Sequence, residues 1–150
     1  MSEPFTKTFH VRWGDLDSNG HMKNTAYLDA CVDVRMMYFA ENGFPVRVFE
    51  ELRFGPVVLR DEVDYFREMR LLEQVTVDFA LASINDDGSR FRLRNQFFRE
   101  DGQKVATVRS FGGWLDLRTR KLSPPPEQLG LVLANLQKTE DFETLAANAR

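Results

Sequence analysis

A largely apolar helix in the first third of the chain constrains the fold more than any other feature. The residue pattern predicts that this helix begins at Asn24 or Thr25, either of which suits the N-cap, and runs to about Asn42. Gly43 followed by Pro45 then stops it, because glycine adopts the left-handed conformation that ends helices and proline cannot continue them. Both ends of the helix are therefore marked in the sequence.

The polar side of this helix is unusually narrow. Thr25, Asp29 and Asp33 form one stripe at helical spacing. Apolar residues cover most of the remaining surface: Tyr27, Leu28, Ala30, Cys31, Val34, Met37 and Tyr38. An ordinary surface helix has one apolar stripe, so we expect this helix to be covered by a curled sheet or by a second subunit. Arg35 is the charge outside the polar stripe and needs a partner if it is buried.

Strand patterns occur in the sequence before and after the helix. Alternating apolar residues predict strands at residues 6–13, 57–66, 74–84, 90–100 and 104–117. Hairpin signals at 85–88 and 100–102 join the last three strands into an antiparallel meander. No helical pattern separates these strands, so the order predicts an α+β fold and not the parallel sheet of an α/β fold.

The end of the chain has a different pattern. Three consecutive prolines at 124–126 end the sheet region, and residues 127–137 have apolar positions at the spacing of a short helix. Residues 139–150 either extend this helix or trail in solvent. The length of 150 residues favours one domain, residues 1–150, with a C-terminal extension from about 124 to 150.

Composition excludes several classes of function. A net charge of -3 provides no general attraction to nucleic acid, and 29% charged residues without a run of 18 apolar ones argue against membrane insertion. The single cysteine, Cys31, cannot form an internal disulfide, which fits a reducing compartment. Residues 1–7 lack the pattern of a signal peptide, so we expect a cytoplasmic protein.

Most polar groups suited to catalysis lie in one loop, residues 15–24, which leads into the helix. The loop holds two carboxylates, Asp15 and Asp17, beside the free N–H groups and the positive end of a helix. An aspartate with an ordinary pKa of about 3.9 is ionised at neutral pH. The arrangement suits attack on a carbonyl carbon, directly or through water.

Other catalytic chemistries lack their sequence signals. His10, His21 and Cys31 do not have the spacing of a metal site, so we expect no metal. The chain has no Gly-x-Ser-x-Gly elbow and no glycine-rich phosphate loop, and we expect no cofactor.

The sequence from Trp13 to Asn24, continued by Tyr27-Leu28 and Arg35, resembles the N-terminal signature of 4-hydroxybenzoyl-CoA thioesterase-like proteins. These form a branch of the hotdog-fold superfamily. The resemblance implies an antiparallel sheet wrapped around one long central helix. It also implies a homodimer or homotetramer whose sheets pair edge to edge, with active sites between subunits.

The resemblance further implies an acyl-CoA thioesterase, which hydrolyses acyl-CoA to a carboxylic acid and coenzyme A. Asp17 is then the nucleophile or general base, with Asp15 in a supporting role. The backbone N–H of Asn24, at the helix start, would stabilise the oxyanion. His21 would either donate a proton to the leaving thiolate or simply pack and form hydrogen bonds, and Tyr27 would either border the acyl pocket or belong to the core.

Substrate recognition is less defined. Arg90, Arg92 and Arg94 share one strand face, which is either solvated or contacts CoA phosphates. Residues 65–73 lack the proline and Gly-Asp turn common in the family, and the chain's many phenylalanines either line an acyl pocket or fill the core. Two rivals keep the fold: a non-catalytic acyl-CoA-binding module, and a thioesterase for acyl groups on a carrier protein. A dehydratase is disfavoured because the central helix contains no histidine.

Overall fold

The structure, a computed structural model, describes residues 3–146 and contains a curled antiparallel sheet with a helix packed on it. The main strands run in the order β1-β3-β4-β5-β2, with β6 beside β5 and β7 beside β3. The strands are β1 Phe5–His10, β2 Phe54–Tyr65, β3 Gln74–Ile84, β4 Arg90–Arg99, β5 Lys104–Asp116, β6 Lys121–Leu122 and β7 Lys138–Thr144. The helices are α1 Asn24–Glu41, α2 Val46–Leu52 and α3 Glu127–Ala134.

The predicted meander is confirmed. Strand β3 pairs with β4, and β4 with β5, in antiparallel register. Gly88 and Gly102 close the two turns with φ angles of 76° and 87°, a conformation that glycine adopts without steric cost. Their N–H groups donate to the carbonyls of Asn85 and Arg99. Turn chemistry therefore fixes the register of the sheet centre.

Helix α1 packs one face against the sheet. Its buried residues are Ala26, Tyr27, Cys31, Val34, Arg35, Tyr38 and Phe39. The opposite face is open, because Val32 is 52% exposed and Met37 is 37% exposed. A single chain thus covers less of α1 than its apolar pattern suggests. Within residues 3–146, no helix combines the length and apolar character needed to cross a membrane.

The start of the chain differs from the prediction. Strand β1 ends at His10, and Trp13 lies 80% exposed in a 3-10 turn instead of continuing the strand. The turn forms because the Asp15 carboxylate accepts hydrogen bonds from the Arg12 backbone and guanidinium. The predicted N-cap is also wrong. Lys23 occupies that position without a side-chain cap, which makes Asn24 the first helical residue.

The C-terminal region also departs from the prediction. The short helix α3 is confirmed, but the chain then forms β7, which pairs in parallel with β3. Neither proposed alternative, helix or solvent, is correct for this stretch; residues 147–150 lie outside the described part. Ion pairs hold β7 in place, since Glu140 accepts two hydrogen bonds from Arg94. The sequence between α1 and β2 contains the short helix α2.

Arg35 finds its partners inside the protein. Its guanidinium donates to Asn95 Oδ1 at 2.8 and 3.0 Å and to Ser110 Oγ at 2.7 Å. Ser110 in turn donates to Asp61 on the edge strand β2. A buried charge is tolerable only when its donors are satisfied, and this network satisfies three of them.

Candidate active site

The loop before α1 is folded as a tight turn. Leu16 and Met22 form an isolated antiparallel bridge, and the Asp17 N–H donates to the His21 carbonyl at 2.8 Å. Between them the Gly20 N–H donates to the Asp17 carbonyl at 3.1 Å, with Gly20 at φ 78°. This left-handed conformation favours glycine, which explains why the loop needs one at that position.

The Asp17 carboxylate is held at the base of this turn. Its Oδ1 atom accepts hydrogen bonds from the backbone N–H groups of Asn19 at 2.8 Å and His21 at 3.1 Å. The hydrogen bond from His21, followed by that from Asn19, holds the pKa of Asp17 below its usual value. Among residues 3–146, no group donates to Oδ2. The turn therefore orients an ionised carboxylate and leaves one oxygen available.

The first turn of α1 lies beside this carboxylate. The Lys23 N–H donates to the Asp15 carbonyl at 2.7 Å, whereas the N–H of Asn24, as the first helical residue, has no intrahelical acceptor. The Tyr65 hydroxyl donates to the Asn24 carbonyl at 3.3 Å and so ties β2 to the helix start. A free backbone donor thus lies where the helix dipole is positive.

Asp17 and Asn24 line the same cavity, which has a volume of about 580 Å³ and opens widely to solvent. This size falls within the range of about 300–1,000 Å³ typical of small-molecule sites. Its other lining residues are His21, Met22, Tyr27, Tyr65, Phe66, Arg67, Glu68 and Arg99.

His21 contacts a carboxylate in this cavity. Its Nε2 atom lies 3.0 Å from Glu68 Oε2, and Glu68 also lies 3.5 Å from the Arg70 guanidinium. A carboxylate beside one ring nitrogen orients the imidazole. His21 is therefore held against the cavity wall by the segment that follows β2.

Tyr27 forms part of both the core and the cavity wall. It is buried, and its ring packs edge-on against Phe97 and Tyr65 at 5.1 and 5.3 Å. Burial raises the pKa of Tyr27 to about 12, so the hydroxyl stays protonated. The two interpretations of this residue, core and pocket border, are not exclusive.

Asp15 lies apart from Asp17. It lines a second cavity of about 310 Å³, on the β1 side of α1. Partial burial would raise the pKa of Asp15, but hydrogen bonds from Arg12 outweigh it and lower the pKa below its usual value. The carboxylate is thus engaged in forming the 3-10 turn, and its carbonyl anchors Lys23 at the helix start.

Several cavity residues are absent from the sequence-based prediction of catalytic groups, above all Glu68 and Arg99. Both come from segments far along the chain, and no local motif marks them. The arginines that the strand pattern emphasised lie elsewhere, because Arg92 and Arg94 pair with Glu143 and Glu140 of β7. The alternation of side chains along β4 could have indicated Arg99 as a cavity residue, because it falls on the same face as Phe91, Leu93 and Phe97.

Comparison with known proteins supports this description of the fold. A family model described as the thioesterase-like superfamily matches residues 11–134. A hypothetical protein from Staphylococcus aureus, solved in complex with CoA, superposes with a TM-score of 0.82 at 23% identity, covering 96% of this chain and 89% of its own. No curated protein sequence matches the chain.

Two solved thioesterase structures have the same fold. The 1,4-dihydroxy-2-naphthoyl-CoA thioesterase from Synechocystis has a TM-score of 0.79 at 17% identity and covers 89% of this chain and 98% of its own. A gentisyl-coenzyme A thioesterase has a TM-score of 0.75 at 17% identity, and the superposition covers 85% of this chain and 98% of that protein.

Proposed function

Because the chain belongs to the thioesterase-like superfamily, we propose that it hydrolyses the thioester of an acyl-CoA to a carboxylic acid and coenzyme A. One observation carries the proposal: an ionised Asp17 lines the same open cavity as Asn24, whose backbone N–H has no intrahelical acceptor. An anionic group and an oxyanion donor are the two elements that acyl transfer needs. Thioesterases with similar folds, and a similar protein solved with bound CoA, add support.

In this mechanism the free Oδ2 of Asp17 acts on the thioester carbonyl. As a nucleophile it forms a mixed anhydride as the C–S bond breaks, and water then cleaves the anhydride. As a general base it takes a proton from a water molecule that attacks the same carbon. In both routes the Asn24 N–H donates to the developing oxyanion, a contact worth about 2.7–4 kcal/mol in other enzymes.

We assign His21 the role of protonating the departing thiolate, with Glu68, 3.0 Å from its Nε2, orienting the ring. We assign Asp15 a supporting role, because its carboxylate and carbonyl hold the two ends of the loop that carries Asp17. Tyr27 and Tyr65 supply aromatic wall against the bound acyl group.

The proposal includes assembly and location. The edge strand β2 pairs only with β5 among the described strands and carries exposed Val58 and Leu59, 45% and 57% exposed. An exposed apolar edge of this kind favours pairing with another copy, so we propose a homodimer or homotetramer with sites between subunits. The lone buried thiol of Cys31 is compatible with a cytoplasmic location, and we treat the chain as one domain.

Thiol release from a panel of acyl-CoA thioesters, followed with a thiol reagent, tests the activity. The proposal expects catalytic turnover on at least one aliphatic or aromatic member. Saturable binding of CoA thioesters without thiol release would instead identify the binding module. Faster turnover of the same acyl group on a carrier protein would identify the carrier-protein thioesterase.

Single turnover in H₂¹⁸O identifies a nucleophilic Asp17 through the label in its side chain. Asp17 acquires ¹⁸O when water attacks the aspartyl carbonyl of the anhydride, and mass spectrometry of the loop peptide detects it. An unlabelled Asp17 with all the label in the released acid results from a general base and also from water attack on the acyl carbonyl of the anhydride, so only the labelled outcome assigns the route.

A further inference from the structure

Arg99 occupies an unusual position at the end of the inner face of β4. The residues before it on that face, Phe91, Leu93, Asn95 and Phe97, are all buried. Alternation places Arg99 on the same side, two residues beyond Phe97, whose ring packs against Tyr27. The guanidinium therefore enters the active-site cavity from the sheet side and forms part of its wall.

The guanidinium is only partly satisfied by the protein. One terminal nitrogen, Nη2, donates to the backbone carbonyl of Glu68. The Nε atom is buried and has no hydrogen-bond partner. No carboxylate lies within ion-pair distance of Arg99 among residues 3–146. The other terminal nitrogen, Nη1, donates to no group among residues 3–146, and a cationic donor in a cavity wall suits a ligand that accepts hydrogen bonds.

The acidic groups of the cavity do not compensate this charge. Asp17 accepts hydrogen bonds from its own turn, and Glu68 faces His21 and Arg70. Tyr27 lines the same cavity and contributes a neutral hydroxyl, because burial raises its pKa to about 12. An uncompensated cation beside a protonated hydroxyl forms a donor pair for an oxyanion.

We propose that Arg99 is a specificity-determining residue that binds a carboxylate on the acyl group, so that the preferred substrates are thioesters of dicarboxylic acids. The inference rests on the proposed thioesterase function. It favours the acyl group over CoA because Arg99 lies on the inner sheet face, two residues beyond Phe97, whose ring packs against Tyr27. Arg67, in contrast, is exposed where the cavity opens and suits a more solvated anion.

Binding of two thioether analogues tests the inference without requiring hydrolysis. Hexyl-CoA and 5-carboxypentyl-CoA have the same number of acyl-side carbons and differ only in the terminal carboxylate. Isothermal titration calorimetry would compare their affinities for the wild type, Arg99→Met and Arg99→Lys. Arg47→Met serves as the matched control, because Arg47 lies on α2 and does not line the cavity.

The wild type should bind the carboxylated analogue about ten- to a hundredfold more tightly, the range expected for a charge-assisted hydrogen bond. Arg99→Met should abolish this preference and change hexyl-CoA affinity less than twofold, Arg99→Lys should restore part of it, and Arg47→Met should leave it intact.

Equal affinity of the wild type for both analogues would overturn the proposal. An equal loss of affinity for both analogues in folded Arg99→Met would also overturn it, because that result would assign the arginine to the CoA phosphates. If Arg99→Met fails to fold, Arg99→Lys decides. A smaller preference for the carboxylated analogue than in the wild type supports the proposal, and an undiminished preference overturns it. Failure of the thioesterase proposal appears separately, as preferential binding without any thiol release.

Discussion

Removing the side chain of Asn95 should destabilise the fold strongly, because it strips a buried charge of its main acceptor. Asn95 is fully buried, and its Oδ1 accepts two hydrogen bonds from Arg35 at 2.8 and 3.0 Å. Its amide also donates to the Asp78 carbonyl at 2.7 Å. Burial already lowers the pKa of Arg35, the direction expected when the charged form is desolvated.

The magnitude follows from these contacts. A hydrogen bond to a charged group contributes about 1.5–3 kcal/mol, and the variant loses two of them, those that Arg35 donates to Asn95. Ser110 still accepts from Arg35 in the variant, at 2.7 Å, so part of the network survives. We therefore expect Asn95→Ala to lower the free energy of unfolding by about 3–5 kcal/mol.

Urea unfolding followed by circular dichroism, at one fixed protein concentration, measures this loss. The double variant Arg35→Met/Asn95→Ala is the informative control, because it removes the buried charge together with its acceptor. It should be less destabilised than the sum of the two single variants by at least about 1 kcal/mol. A cost below about 1 kcal/mol for Asn95→Ala, or simple additivity in the cycle, would refute the reasoning.

Three other outcomes follow from the geometry. Gly112→Ala should destabilise the protein by about 3 kcal/mol in the same urea assay, because the new Cβ would lie 2.1 Å from the Val57 carbonyl oxygen. The control Gly14→Ala should cost less than about 0.5 kcal/mol, because the space around Gly14 is open. Gly20→Ala should lower kcat in the thiol-release assay while costing only about 1–2 kcal/mol of stability, since φ 78° disfavours alanine and the turn positions Asp17; unchanged kcat would contradict that link. Because the pKa of Asp17 lies below its usual value, Asp17 stays ionised to lower pH than an ordinary aspartate. The loss of kcat/KM on acidification should therefore fall below the ordinary aspartate pKa of about 3.9. A loss at higher pH that persists when His21 is replaced would contradict the assignment.

Much of the sheet could be predicted because its signals are local. Strand β3 was predicted within its observed bounds, and the turns at Gly88 and Gly102 carry the residues that such turns require. The loop and helix that bear Asp17 and Asn24 were also marked by a motif. The end of β1 was not, because the hydrogen bonds between Arg12 and Asp15 override the alternation that reaches Trp13.

Contacts between distant segments account for the remaining errors. Strand β7 is polar and short, and its place in the sheet depends on parallel pairing with β3 and on Arg94 reaching Glu140. The same holds at the site: Glu68 meets His21 only once the sheet has curled. The loop that carries Asp17 was therefore evident in the sequence, whereas the cavity wall facing it was not.

The most direct test of the central claim compares thiol release by the wild type, Asp17→Asn and Asp33→Asn on the best acyl-CoA of the panel. Asp33 is the matched control, an exposed aspartate of α1 that does not line the Asp17 cavity. With circular dichroism showing all three folded, Asp17→Asn should lose at least about a hundredfold in kcat/KM, equivalent to about 2.7 kcal/mol of transition-state stabilisation, and Asp33→Asn should match the wild type. Full activity in Asp17→Asn would contradict the assignment of catalysis to Asp17.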